Sequence, residues 1–130
     1  MRHELIAFLR ARLDEAERLA REAAEAAWSP DWYYDDFVHE IRDHGNGNEL
    51  AHIPWAGVGA HIEHWDPARV LAEVEAKQQL LTIYADVAAS DLPDEPFEYA
   101  YGWANGLGRA VRLAVLPYAD HPDYREEWRP

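Results

Sequence analysis

Asp66-Pro67 is the strongest structural instruction in the chain. Aspartate is a favoured helix N-cap, and proline is preorganised for the first helical position. The residues that follow carry a long apolar stripe: Val70, Leu71, Val74, Leu81, Tyr84 and Ala88. That spacing predicts a helix running from Pro67 until it frays near Ala89 to Asp91. Lys77 falls on the stripe, where its stem can cover apolar surface while the amine reaches water. A domain containing so long a helix must supply other elements to cover it.

Two further segments read as helices. Leu5, Leu9, Leu13, Ala16, Ala20, Ala23 and Ala27 recur on one face of a helix from about Glu4 to Ala27, which Ser29-Pro30 stops. Asp14 with Arg18, and Glu17 with Arg21, are spaced for ion pairs of about 0.2–0.5 kcal/mol each. The narrowing from Leu to Ala suits close approach of another helix at that end. A third helix is expected from about Phe97 to Leu116, with Phe97, Tyr101, Ala104, Leu107, Val111 and Val115 on one face and Pro117 ending it. Gly102, Gly106 and Gly108 each cost it about 1 kcal/mol relative to alanine. Close backbone packing is the expected compensation; a helix beginning only at Gly106 is the alternative.

Between the first two helices the period changes. WYYDDFVHEIRD is rich in aromatic and β-branched residues, His44-Gly45-Asn46-Gly47-Asn48 is a turn signal, and ELAHIPW follows. Two short strands about Asn46-Gly47 make a hairpin, which is marginal alone and must lie against the helices. An irregular acidic loop is the alternative reading. Residues 57 to 65 read as a short helical turn. Ser90 to Pro96 reads as a loop. The tail, YADHPDYREEWRP, is expected to be mostly extended, with Tyr118, Tyr124 and Trp128 packed onto the helices. The fold class is therefore α+β, predominantly α. It has three long helices, a small β-hairpin between the first and second, and an extended C-terminal tail, in one domain over residues 1–130.

Composition mainly excludes. With no cysteine, disulfide frameworks, thiolate zinc sites, iron–sulfur clusters and cysteine nucleophiles all drop out. Ser29, Ser90 and Thr82 are the only aliphatic hydroxyls, and none sits in a Gly-x-Ser-x-Gly elbow. Neither Gly45-Asn46-Gly47 nor Gly106-Leu107-Gly108 has the context of a phosphate loop. The N-terminal stretch is interrupted by charge, with neither a signal-peptide core nor a membrane span, so the cytoplasm is the expected location. The net charge of −13 is concentrated in the middle: Asp31, Asp35, Asp36, Glu40, Asp43 and Glu49 face only Arg42. No basic face exists to displace counterions from phosphates, which argues against direct nucleic-acid binding.

Seven histidines raise the question of metal. His61 and His64 are three apart and share the side of a helix, with Glu63 and Asp66 adjacent and His39 or His52 able to approach from the hairpin. A site of His61, His64 and Asp66 could hold a divalent transition metal and activate water for hydrolysis. Against it, no His-Glu-x-x-His motif is present, and histidines in an acidic chain commonly sit at the surface or near helix ends. Glu73 and Glu75 do not share a helical face, so they make no acid–base pair. Trp28, Trp32, Tyr33, Tyr34, Trp55 and Trp65 surround the hairpin; they read chiefly as core, with some available to line a pocket or a protein-facing surface.

Three stretches, LIAFLRARLDE from Leu5, HIEHWDPARVLAEVEAK from His61 and LPYADHPDYREEW from Leu116, resemble an actinobacterial family of small proteins known only as a domain of unknown function. Together they cover about a third of the chain. The family pattern places histidine directly before Asp-Pro, where this chain has Trp65; its histidine stands at His64. The resemblance implies a bacterial or phage-borne cytosolic protein and no particular activity.

The resulting expectation is a non-catalytic acidic binding or accessory protein without a resident cofactor. Its partner is another protein, with a basic surface as the complementary chemistry, and neither nucleic acid nor membrane is contacted directly. Self-association through the Ala- and Gly-rich helix faces is a further route. The competing class is a small metal-dependent hydrolase centred on His61 and His64.

Overall fold

The computed structural model describes residues 2–89 and 97–130, without the side chains of 89 and 97–101. The expected Ser90–Pro96 loop, and the Phe97 and Tyr101 positions of the third stripe, lie outside the described residues. The elements run α1 (Arg2–Ala27), β1 (Trp32–Asp35), β2 (Glu40–Asp43), β3 (Glu49–His52), α2 (Ala56–His64), α3 (Pro67–Ala89) and α4 (Phe97–Val115). Two compact units are delineated: residues 14–75, and residues 1–13 with 76–130. Both α1 and α3 contribute to each. The protein is mostly helical with a small antiparallel sheet.

Of the α1 stripe, Leu5, Leu9, Leu13, Ala20 and Ala27 are buried, while Ala16 and Ala23 are half-buried. Glu17 accepts from Arg21 at 2.9 Å, whereas Arg18 turns forward to Glu22 at 3.3 Å rather than back to Asp14. The helix ends on Trp28, whose φ of 66° is the left-handed geometry that usually falls to glycine at a helix end. Ser29 then accepts the Asp31 N–H on its hydroxyl at 3.1 Å. Its carbonyl accepts the Trp32 indole N–H at 2.9 Å, pinning the entry into β1.

The middle segment holds three strands where two were expected. WYYDDFVHEIRD does not run straight: it folds back on itself at Asp36–His39, and β1 pairs antiparallel with β2, Trp32 opposite Asp43 and Asp35 opposite Glu40. The Asp35 carboxylate accepts the Phe37 N–H at 3.0 Å, and His39 takes a φ of 62°, which together reverse the chain. The predicted hairpin about Asn46-Gly47 is present as β2–β3, with Gly47 at φ 70°. A register irregularity lies between Ile41 and Arg42.

One face of the sheet carries Trp32, Tyr34, Ile41 and Asp43, and α2 packs on β1 and β2. The residues expected as a helical turn thus form a fourth, nine-residue helix. Gly59 makes this packing work: a Cβ there would lie 2.2 Å from the Tyr34 ring. Tyr34 is itself fixed by its hydroxyl, which donates to the Ile53 carbonyl at 2.7 Å.

Around residues 1–13 and 76–130 the buried set is Leu5, Phe8, Leu9, Leu13, Leu81, Tyr84, Val111, Val115 and Trp128. The longer form of the third helix is the one found. Close packing at its glycines holds for Gly108, where a Cβ would meet the Tyr84 ring at 3.4 Å. At Gly102 and Gly106 nothing among the described residues comes within 4 Å. The tail differs from its expected extended form. It is wound into 3-10 turns at Leu116–Tyr118 and Glu126–Trp128, joined by backbone bonds such as Tyr124 N–H to the His121 carbonyl at 2.9 Å. With prolines at Pro117 and Pro122, successive tight turns let the short tail bring its rings to one place.

Candidate functional site

His61 and His64 both stand on the exposed side of α2. The His64 ring meets Trp65 edge-on, centroids 5.2 Å apart, and the Arg69 guanidinium lies 5.4 Å from the centre of a Trp65 ring. Asp66, the third expected ligand, is buried, and both its oxygens are engaged. Oδ1 accepts the Arg69 N–H at 2.9 Å as the α3 N-cap, and Oδ2 accepts the Trp32 N–H at 3.0 Å. His39 and His52 face each other instead, ring centroids 6.4 Å apart, with His39 Nδ1 3.3 Å from the Tyr34 hydroxyl. Among the described residues no group of three or more His, Asp or Glu is arranged to hold a metal ion.

The carboxylates beside this corner do structural work on the sheet. Glu63 accepts the Tyr34 N–H at 3.0 Å, so Glu63 and Asp66 between them take both outward N–H groups of β1. Asp43, fully buried, holds the β2–β3 turn: its Oδ1 accepts the Asn46 N–H at 2.6 Å and its Oδ2 the Asn48 N–H at 3.0 Å. Neither role stood out in the sequence. An Asp three residues before Asn-Gly is a recognisable Asx-turn signal, however, and could have identified Asp43.

What remains at the surface of residues 14–75 is acidic and aromatic. This unit has fifteen Asp or Glu against four Arg. Each of the four is already ion-paired: Arg18 with Glu22, Arg21 with Glu17, Arg42 with Glu40 and Arg69 with Glu73. Four large rings stand out from it: Trp28 is 79% exposed, Phe37 89%, Trp55 68% and Trp65 45%. Expected chiefly as core, the tryptophans divide. Trp32 is half-buried, while Trp28, Trp55 and Trp65 lie outside the core.

The other unit gathers its rings inward. Phe8 is ringed by Tyr118, His121, Tyr124 and Trp128 at centroid distances of 5.1 to 6.3 Å. Arg12 stacks on Phe8 and hydrogen-bonds His121. Arg125 ties the tail to α1 through Glu4 at 2.7 Å.

A family model described as a family of unknown function (DUF6221) matches residues 2–130. The chain belongs to that family. No curated protein and no solved structure matches it. The DUF6221 match spans both compact units. No helix among the described residues of this DUF6221 chain is long and apolar enough to cross a membrane.

Proposed function

We propose that this protein is a non-catalytic binding protein that docks a basic partner protein through the acidic, aromatic-studded surface of residues 14–75. The observation that carries the reading is the state of the four arginines: with each held by a neighbouring carboxylate, residues 14–75 hold no further cation of their own against an excess of eleven acids. Exposed Phe37 and Trp55 supply the apolar anchors that such an interface needs, while the surrounding carboxylates steer the approach. Steering of this kind weakens as salt shortens the Debye length.

The competing reading, metal-assisted hydrolysis at His61, His64 and Asp66, has less support. Asp66 already serves two backbone donors, which leaves two exposed imidazoles as the ligand set. Untagged protein equilibrated with zinc, manganese or iron distinguishes the two. A rise in melting temperature that His61→Ala removes would favour the metal.

The direct test is affinity capture on the immobilised protein at low and high ionic strength, with Phe37→Ser/Trp55→Ser as the matched control. The expected result is a basic protein retained at low salt, released at high salt and not retained by the double variant. Capture of nothing, or capture indifferent to salt and to the variant, would overturn the reading.

A further inference from the structure

A cavity of about 280 Å³ lies within the unit of residues 1–13 and 76–130, lined from the start of α1, the second half of α3, the middle of α4 and the last turn of the tail. Part of its wall is apolar: Leu5 and Trp128 are buried and Ala104 is half-buried. Ala104 and Gly108 stand four apart on α4, so that face of the helix is nearly bare of side chains. At Gly108 a Cβ would stand 3.4 Å from both the Tyr84 ring and its hydroxyl oxygen.

The polar groups along this cavity are short of partners. Tyr84 is 5% exposed, yet among the described residues no group hydrogen-bonds its hydroxyl. A hydroxyl on so buried a ring normally has one. Arg112 is half-buried and has no carboxylate partner among the described residues. Arg2 reaches only the Ala88 carbonyl, at 3.5 Å, the outer limit for such a bond. The four arginines of residues 14–75, by contrast, are each ion-paired.

These groups choose the ligand. A guanidinium only donates, and a tyrosine hydroxyl and the Asn105 amide can donate as well, so the complement must bring acceptors and negative charge. Glu127 lines the same cavity, 3.9 Å from Arg125. Two arginines against one glutamate leave a single positive charge, which a monoanion balances and a phosphate dianion exceeds. The guanidinium fork matches a carboxylate through two parallel bonds. Sites for drug-sized ligands run upward from roughly 300 Å³, so one ring or a short chain suits this one.

We infer that this cavity binds a small monocarboxylate with an apolar body. Arg112 and Arg2 hold the carboxylate, the Tyr84 hydroxyl donates to it, and the body lies against Leu5, Ala104 and Trp128. The site is separate from the acidic surface of residues 14–75 and stands or falls without it.

Calorimetric titration of the full chain with 3-phenylpropionate tests this, with 3-phenylpropionamide and inorganic phosphate as the comparison ligands. The expected result is saturable binding of the carboxylate with Kd of about 1 mM or tighter, and binding of the amide and of phosphate at least tenfold weaker. Arg112→Gln should weaken the carboxylate at least tenfold. Should that variant fold poorly, Arg2→Gln, at an exposed position, should still weaken it severalfold. In NMR spectra of the parent chain, 3-phenylpropionate should shift the Gly108 and Asn105 amides. No saturable binding of 3-phenylpropionate would overturn the inference, as would binding indifferent to both arginine variants or shifts confined to other residues. Equal binding of the amide would show that the charge is not read, and equal binding of phosphate that the apolar wall is not; either would overturn the assignment.

Discussion

The carboxylate of Asp66 joins two elements that lie 34 residues apart in sequence: Oδ2 accepts the Trp32 N–H at the edge of β1, while Oδ1 caps α3. Nearby, the Ala68 N–H donates to the Pro30 carbonyl at 2.9 Å, so the start of α3 and the approach to β1 are stitched together at two points. Losing an N-cap costs about 0.5–2 kcal/mol, and orphaning a second part-buried donor adds about 1–3 kcal/mol. Asp66→Ala is therefore expected to lower unfolding free energy by about 2–4 kcal/mol, read from urea denaturation. Asp66→Asn keeps one acceptor oxygen and should lose roughly half as much. An Asn variant as damaging as the Ala variant would mean that the charge, not the acceptor count, holds this junction.

Gly57 and Gly59 sit two positions apart on α2 and predict opposite outcomes. A methyl group at 59 would overlap the Tyr34 ring, which cannot retreat while its hydroxyl is bound to the Ile53 carbonyl. Gly59→Ala should cost about 1–3 kcal/mol, the range for overpacking. At 57 nothing stands within 4 Å among the described residues, and alanine gains helix propensity of up to about 1 kcal/mol. Gly57→Ala should raise the thermal midpoint and Gly59→Ala lower it in the same scan.

These cases mark what the sequence could and could not reveal. The α3 start was legible because Asp-Pro is a local signal and its cap closes within three residues. The α1 stripe was legible because Leu5, Leu9 and Leu13 repeat at the helical period. The Tyr34–Gly59 contact and the Trp32–Asp66 bond were not, because each joins residues 25 or more apart with no local pattern to announce it. The β1–β2 reversal was missed for a different reason. Its turn has no Gly or Pro; it relies on the Asp35 side chain and a left-handed His39, both weak signals against an aromatic run that looks like one strand. In the expected corner of His61, His64 and Asp66, one oxygen of the buried carboxylate caps its own helix, a local signal, while the other accepts an N–H 34 residues away that no local spacing announces.

Trp128 is 2% exposed. It packs on Phe8 at 5.1 Å and on Tyr124 at 5.7 Å, so the last turn of the tail is anchored to α1 by rings rather than by backbone pairing. Trp128→Ala should cost about 3–5 kcal/mol. Its indole N–H is buried with no partner among the described residues. Trp128→Phe removes that unmatched donor while keeping a ring, and is expected to cost well under half as much. Chemical denaturation of the two variants checks the ratio.

Glu126 and Arg129 make a short hydrogen-bonded pair in the same tail, at 2.6 Å. The hydrogen bond from Arg129, and then its charge, hold the Glu126 carboxyl below its ordinary value. A depressed carboxylate contributes stability above its unfolded pKa and loses that contribution as pH falls through the folded one. Both groups are exposed, so the pair should barely affect stability at neutral pH. An NMR titration should show the Glu126 carboxyl titrating at a lower pH in the parent than in Arg129→Gln. Identical titration curves would show that the pair does not persist in solution.

Asp43 carries the β2–β3 hairpin. Its two oxygens hold the Asn46 and Asn48 N–H groups, and the Gly47 N–H reaches its own carbonyl at 2.9 Å, so one residue organises most of the turn. A Cβ at Gly45 would stand 3.2 Å from the same carboxylate, which leaves the turn little room to rearrange. Asp43→Ala leaves two donors without their acceptor beside a fully buried position and should destabilise by about 2–4 kcal/mol. The more discriminating variant is Asp43→Asn, which can satisfy only one of the two amides. In hydrogen exchange it should leave one of Asn46 and Asn48 slow and the other fast, while the Ile53–His39 bond persists. Equal loss of protection at Asn46, Asn48 and Ile53 would mean that the turn and strands unfold together, so that Asp43 sustains the β2–β3 hairpin as a whole rather than its turn alone.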